Sequence, residues 1–317
     1  MESATPTAQA AAEVVWRQLG KDVAQITRFP TGLANVVYDV LTTDGTALVV
    51  RLVRVGEGAR FAGAVYWHER LAPLGVPLPR LIAHDAAPAQ GDFPYMIIER
   101  LPGTDLGVVY PDLTATQKQG LARQIVAIQR AAATLPDGPG FGYARSYADS
   151  LHRSWAAVLR ANLAQSRRAI ERAALVDPRV VERVTAKLPT YDLYLARVQP
   201  HLFLDDTTTK NVLIAGGRLS GIVDVDVVCF GDRLLTPALT QMALLSRGHD
   251  TDYIRSWCDE LDLSGEQERI LTLYTAHFCV GFLAELGQPF NKEVAETIEA
   301  GTVERLLAIL DSLLARC

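Results

Sequence analysis

The spacing of the apolar residues changes near residue 100, and this change constrains the fold most strongly. Residues 26–54 alternate in strand fashion, and Asp44–Gly45 marks a hairpin turn between two apolar runs. Later, Thr114 is a good N-cap for a helix with apolar residues at helical spacing. Further helices are expected at 147–174, 178–195, 237–246, 250–261, 264–286 and 292–315. The pattern predicts an α+β chain with a small β-rich lobe at 1–99 and a larger helical lobe at 100–317.

Composition and charge narrow the class of protein. The 317 residues are 49% hydrophobic, enough to fill two lobes, and the net charge of −5 is spread along the chain. No Lys/Arg block suggests nucleic acid or an anionic membrane as a partner. The sequence has no secretory signal, no apolar run long enough to span a membrane, and four cysteines without metal spacing. We therefore expect a cytoplasmic globular protein with reduced thiols and a small-molecule partner.

Residues 203–226 carry the densest set of chemically useful side chains. Asp206 lies five positions before Asn211, a short hairpin pattern follows, and Asp224 ends an apolar run. Phosphoryl-transfer sites use this order: the first Asp faces the attacking hydroxyl, and the Asn and second Asp bind metal. Asp205 is a rival for the first role, but the spacing to Asn211 favours Asp206. The segment predicts Asp206 as the catalytic carboxylate, with Asn211 and Asp224 as Mg²⁺ ligands.

These residues resemble a known family. The segment from Leu204 to Asn211, the Gly221–Asp224 run and Gly231–Asp232 are similar to the catalytic segments of the aminoglycoside phosphotransferase and choline kinase-like family. The resemblance extends over about residues 26–245. It implies a two-lobe protein-kinase-like fold and a kinase that uses Mg²⁺ and ATP or GTP. The acceptor would be a hydroxyl of an aminoglycoside-like antibiotic or of a metabolite alcohol.

Five residues are expected to contact the nucleotide. Arg51 lies in the third predicted strand, where kinases place the lysine that contacts the phosphates. Gly32 and Asn35 lie in a loop that would cover the phosphates, although an ordinary hairpin turn explains the same pattern. Glu99 and Leu101 lie where the chain crosses between lobes, and the backbone of this hinge pairs with the base in kinase-like folds.

The chain departs from the family pattern at several positions. Leu204 replaces the usual histidine, Asp205 replaces a glycine, and Thr236 replaces a downstream acid. The helix after Arg51 offers only Glu69, whose position looks late for an ion-pair partner, and Glu57 is too early. These departures leave open a catalytically silent kinase fold.

Asp226 adds two further interpretations. It lies two residues past Asp224 and shares its face of an extended segment, so it is a candidate further metal ligand. The pair could also form the metal motif of a glycosyltransferase. That interpretation requires an upstream domain of alternating strands and helices, whereas the pattern of residues 114–198 predicts helices.

Overall fold

A computed structural model describes residues 5–29, 35–88, 92–149, 151–288 and 298–317. Within these ranges the N-terminal part is rich in strands and the C-terminal part is mostly helical, as the sequence predicted. The expected loop glycine, Gly32, lies outside the described residues, as does the start of the helix expected at 292–315.

In the N-terminal region, the described residues form one five-stranded antiparallel sheet and two α-helices. Its elements are α1 (Ala8–Leu19), β1 (Val23–Arg28), β2 (Val36–Thr42), β3 (Ala47–Leu52), α2 (Ala59–Leu71), β4 (Leu81–Asp85) and β5 (Tyr95–Glu99). The strand order is β1-β2-β3-β5-β4, so β3 has a neighbour on both sides. The Thr7 hydroxyl caps α1 by accepting from the Ala10 amide. The apolar face of α1 then packs against the buried valines and leucines of the sheet.

The C-terminal region contains two three-stranded sheets and nine helices among its described residues. The strands are β6 (Thr104–Asp105), β7 (Gly142–Ala144), β8 (Leu202–Phe203), β9 (Val212–Ala215), β10 (Arg218–Ile222) and β11 (Val228–Phe230). The helices are α3 (Leu106–Val109), α4 (Ala115–Ala132), α5 (Trp155–Ala173), α6 (Arg179–Thr185), α7 (Asp192–Leu195), α8 (Leu235–Ser246), α9 (Asp252–Leu261), α10 (Gly265–Glu285) and α11 (Thr302–Leu314).

Residues 100–103 connect β5 to β6. The sheets beyond this connection have the orders β10-β9-β6 and β7-β11-β8. Gly103 has a φ of +110°, and a Cβ there would lie 2.4 Å from the Ile214 carbonyl oxygen. Glycine is therefore required for the close approach that lets β6 pair with β9. This pairing ties the connecting segment to the hairpin that precedes Asp224.

Three predicted helices differ from the structure. The helix expected at 292–315 is not helical at residues 298–301 and begins at Thr302. The helix expected at 147–174 begins only at Trp155, where the Ser154 hydroxyl caps it. The helix expected at 178–195 is divided into α6, a 3₁₀ turn at Leu188–Tyr191 and α7. Pro189 lies within the 3₁₀ turn, and a proline in a helix interior removes a backbone donor and clashes with the preceding turn.

Candidate functional site

The segment between β8 and β9, residues 204–211, is the catalytic loop of the sequence prediction. Asp206 reaches solvent, whereas the side chains of Thr207, Thr208 and Thr209 are buried beneath it. Thr208 Oγ1 donates to Asp206 Oδ1 at 3.1 Å, and Asn211 Nδ2 donates to the Asp206 backbone carbonyl at 3.0 Å. Asp206 and Asn211 therefore lie together, as the spacing predicted, and the loop is closed by its own side chains.

Two side chains from neighbouring helices hold the backbone of Leu204. Gln129 of α4 accepts from the Leu204 amide at 2.9 Å and donates to its carbonyl at 2.7 Å. Gln129 also donates to Thr207 Oγ1 at 2.8 Å, and Thr236 of α8 donates to the Leu204 carbonyl at 3.0 Å. The loop is thus braced where the family usually has a histidine. Sequence analysis missed Gln129, because nothing local marks a glutamine 75 residues away as a loop contact.

Asp224 follows β10 in a left-handed backbone conformation. Its φ is +63°, which is uncommon outside glycine although Asp adopts it more readily than most residues. The Val223 amide donates to the Asn211 carbonyl at 2.9 Å, so the chain is fixed to Asn211 immediately before Asp224. The Asp224 side chain is 53% exposed. The backbone bond from Val223 ties Asn211 to the segment that carries Asp224.

A donor set of the Asn211 amide and the Asp224 carboxylate suits Mg²⁺. Mg²⁺ keeps several waters and usually binds one or two carboxylates together with substrate phosphates, rather than an all-protein cage. Among the described residues, no group of three or more His, Cys, Asp or Glu side chains is arranged to hold a metal ion. A site of one amide and one carboxylate is therefore compatible with Mg²⁺ that arrives with a nucleotide.

Arg51 of β3 reaches across to the segment after β10. Its Nη1 donates to Asp226 Oδ1 at 2.8 Å, and its Nη2 donates to Asp226 Oδ2 at 2.5 Å and to Asp224 Oδ1 at 3.0 Å. Burial alone would lower the pKa of Arg51, but the charges and hydrogen bonds of Asp226 and Asp224 raise it above its usual value. Arg51 and Asp224, predicted for phosphate and metal binding, therefore lie in contact. Sequence analysis considered Asp226 as a metal ligand and did not predict its contact with Arg51.

The three carboxylates of the site titrate differently. Burial, followed by the charge of Asp206, raises the pKa of Asp205 to about 8. Burial and the charge of Asp224 raise the pKa of Asp206 to about 6, against hydrogen bonds that lower it. Partial loss of water around the carboxylate raises the pKa of Asp224, although the charge of Arg51 opposes that shift. The pKa of Asp205 is raised further than that of Asp206, so Asp206 is the better base of the two.

The other residues predicted to contact the nucleotide lie at strand ends and in the connecting segment. The Asn35 side chain is buried just before β2. Glu99 ends β5, and its amide donates to the Arg80 carbonyl at 2.9 Å. Leu101 is half-buried and lies against Gly221. Their contact with a nucleotide stays a prediction.

Fold and site together define a protein-kinase-like architecture, with a sheet-rich N-terminal region and a helical C-terminal region. A comparison with known protein families matches residues 25–261 to the Phosphotransferase enzyme family. The match covers most of the chain, which therefore belongs to this family. A comparison with curated proteins found no matching sequence.

Solved structures share the fold at low sequence identity. A thermostable mutant of aminoglycoside phosphotransferase APH(4)-Ia, in ternary complex with AMP-PNP and hygromycin B, is 17% identical with a TM-score of 0.62; the alignment covers 97% of this chain and 96% of that one. Aminoglycoside phosphotransferase APH(2'')-Ib, ADP-bound, is 14% identical with a TM-score of 0.63, covering 98% and 99%. A putative fructosamine-3-kinase from Thermobifida fusca is 19% identical with a TM-score of 0.60, covering 98% and 100%.

None of the helices in the described part of the chain combines the length and the apolar character needed to cross a bilayer.

Proposed function

We propose that the protein is a small-molecule kinase that transfers the γ-phosphate of ATP or GTP to a hydroxyl group. The observation that carries the proposal is the meeting of Asp206, Asn211, Asp224 and Arg51 at one site, within a chain of the phosphotransferase family. The acceptor class we propose is an aminoglycoside-like antibiotic or a metabolite alcohol, because two similar structures are aminoglycoside phosphotransferases and a third is a putative fructosamine-3-kinase. With an antibiotic acceptor, the activity would confer resistance on a cell that holds the protein in its cytoplasm.

The proposed reaction assigns a role to each side chain. The acceptor oxygen forms a bond to the γ-phosphorus, the bond from that phosphorus to the bridging oxygen breaks, and the nucleoside diphosphate leaves. Asp206 orients the hydroxyl and accepts its proton, for which a pKa of about 6 is well placed. Arg51 contacts the phosphates. Asn211 and Asp224 would hold Mg²⁺, which when bound neutralises charge on the phosphates.

A catalytically silent kinase fold is the second candidate, favoured by Leu204 in place of the family's histidine. The contacts of Gln129 and Thr236 with the Leu204 backbone weaken that objection, because they brace the loop without the histidine. The proposed base Asp206 and the proposed metal ligands Asn211 and Asp224 are present, and so is a cation in β3, Arg51. Transfer activity is therefore the stronger proposal.

Replacing Asp206 by Asn tests the proposal. With Mg²⁺, ATP or GTP, and a panel of aminoglycosides and amino alcohols, we expect phosphate transfer to at least one acceptor by the unchanged protein. Asp206→Asn should lower kcat by about 10²- to 10⁴-fold, because it removes the base. Nucleotide affinity, measured by calorimetry, should stay within a few-fold.

Asp177→Asn is the matched control. Asp177 lies in an exposed ion pair with Arg179, and its loss should leave transfer unchanged. Full turnover by the Asp206 variant would contradict the assigned role. Nucleotide binding without transfer to any acceptor in the panel would favour the silent fold.

A further inference from the structure

Arg51 has no acidic partner in the helix where kinases place one. Protein kinases pair the β3 cation with a glutamate of the following helix. In α2, the ring that faces the Arg51 guanidinium belongs to Phe61, 5.8 Å from it, and Phe61 is fully buried. Glu69 is exposed on the same helix, and Glu57 pairs with Arg60 at 3.6 Å. Within the described ranges neither glutamate pairs with Arg51.

Asp226 supplies the missing carboxylate from the other side of the site. Both of its oxygens face the guanidinium, one on each terminal nitrogen, at 2.8 and 2.5 Å. Asp224 receives a single contact at 3.0 Å through Oδ1. A planar guanidinium matches a carboxylate in this two-pronged way, whereas a lysine ammonium cannot. An arginine at position 51 and an acid at position 226 are therefore chemically matched.

Burial makes this pairing necessary. The Arg51 side chain is only 8% exposed and that of Asp226 is 24% exposed. An unpaired charge at such a site is strongly unfavourable, because little water remains to solvate it. Without Asp226, the guanidinium would have only Asp224 as an anionic partner, and Asp224 is the proposed metal ligand.

Helix α2 packs closely against the backbone of Asp226, the partner of Arg51. Gly63 lies in α2, and a Cβ there would stand 2.2 Å from the Asp226 carbonyl oxygen and 2.9 Å from Arg145 Cβ. Glycine in a helix interior costs about 1 kcal/mol relative to alanine, so its presence needs a structural reason. The close approach of α2 to the Asp226 backbone provides that reason.

We propose that Asp226 is the positioning residue for Arg51, replacing the helix glutamate of protein kinases and leaving Asp224 to the metal. The proposal rests on the proposed function, since it concerns how Arg51 is held toward nucleotide phosphates. It makes Arg51 and Asp226 a single unit that spans the two regions of the chain.

A double-mutant cycle separates positioning from metal binding. Nucleotide affinity is measured by calorimetry, at saturating Mg²⁺, for the unchanged protein, Asp226→Asn, Arg51→Met and the double variant. We expect Asp226→Asn to weaken binding about tenfold, the size of one lost charge-assisted hydrogen bond. In the Arg51→Met background the same change should alter affinity by less than about twofold, because the group to be positioned is gone. Asp226→Glu should recover part of the loss.

Asp250→Asn is the control for leaving a buried cation without its carboxylate partner. Lys118 is 7% exposed and pairs with Asp250 at 2.7 Å, so its burial matches that of Arg51. We expect this variant and Asp226→Asn each to lower the thermal unfolding midpoint. Only Asp226→Asn should weaken nucleotide binding.

Three results would overturn parts of the account, and they are distinguishable. A tenfold effect of Asp226→Asn that persists with Met at position 51 would make Asp226 a direct ligand and overturn the positioning role. Unchanged nucleotide affinity in the Asp226→Asn variant would also overturn the positioning role. Failure of the unchanged protein to bind ATP or GTP would instead overturn the proposed function, and the positioning role with it.

Discussion

At Leu204 the backbone, rather than the side chain, makes the contacts that hold the catalytic loop. The Leu204 side chain is buried, and Gln129 bonds to both its amide and its carbonyl. A leucine cannot make the hydrogen bonds of a histidine, so the bracing role has moved to α4 and α8. We infer that Gln129 keeps Asp206 in position through the loop backbone.

Replacing Gln129 by Ala should therefore affect both stability and turnover. The change leaves the buried Leu204 amide without its partner, which costs about 1–3 kcal/mol of unfolding free energy. We expect kcat to fall about tenfold or more, because small displacements of a catalytic group slow transfer strongly. Amide hydrogen exchange at Leu204 should become faster.

Gln124→Ala is the matched control for this prediction. Gln124 lies on the same helix and its side chain is exposed, so we expect stability and turnover to stay unchanged. Equal effects of the two substitutions on kcat would contradict a role for Gln129 in the loop.

The proximity of side chains was predictable where it depends on local spacing. Asp206 and Asn211 are five positions apart, and a short hairpin carries the chain to Asp224, so one segment determines their proximity. The Arg51–Asp226 pair joins residues 175 positions apart, and no local pattern reports that the second acid faces a cation. Period-2 alternation predicted that Asp224 and Asp226 share a face of an extended segment, but Asp224 is left-handed and lies outside any strand. The two acids are related by their common contact with Arg51, which alternation does not predict.

Among the elements, α2 is the one whose sequence is best explained by the site. Its interior glycine, Gly63, faces the Asp226 carbonyl, and its buried Phe61 faces Arg51. Gly63→Ala should add helix propensity yet force α2 away from Asp226, because a Cβ at 2.2 Å from the carbonyl oxygen is not tolerated. We expect lower thermal stability and weaker nucleotide binding.

Gly120→Ala supplies the comparison. Gly120 lies inside α4, and a Cβ there meets no atom within 4 Å. This substitution should stabilise the protein by up to about 1 kcal/mol and leave nucleotide affinity unaffected. Thermal unfolding measures the stability, and calorimetric titration measures the nucleotide affinity. If Gly63→Ala stabilised the protein and left nucleotide affinity unchanged, as expected for Gly120→Ala, the close approach of α2 to Asp226 would not contribute to nucleotide binding.

Element type was predicted well where capping and periodicity agree. Thr114 begins α4 with a capping box formed with Gln117, and Ser264 begins α10 in the same way with Gln267. The prediction failed at 178–195, where apolar spacing suggested one helix but Pro189 divides the segment. Helical periodicity alone does not distinguish one helix from several short ones with similar buried faces.

For the whole molecule, the contacts at Arg51 connect the N-terminal sheet to the segment that carries the proposed metal ligand. The change of periodicity near residue 100 was sufficient to predict the two-part plan, and family membership agrees with it. The position of the boundary at residue 99 stays a prediction. Acceptor choice was not predictable, because it depends on the shape of a pocket formed by distant helices rather than on motifs.

Calorimetric titration with ATP and GTP, with and without Mg²⁺, tests the central claim most directly. If Asn211 and Asp224 bind a metal that accompanies the nucleotide, at least one nucleotide should bind, and Mg²⁺ should strengthen its binding. Asp224→Ala should abolish that strengthening. Absence of binding by either nucleotide, in the presence of Mg²⁺, would contradict the claim that this site is built for phosphoryl transfer.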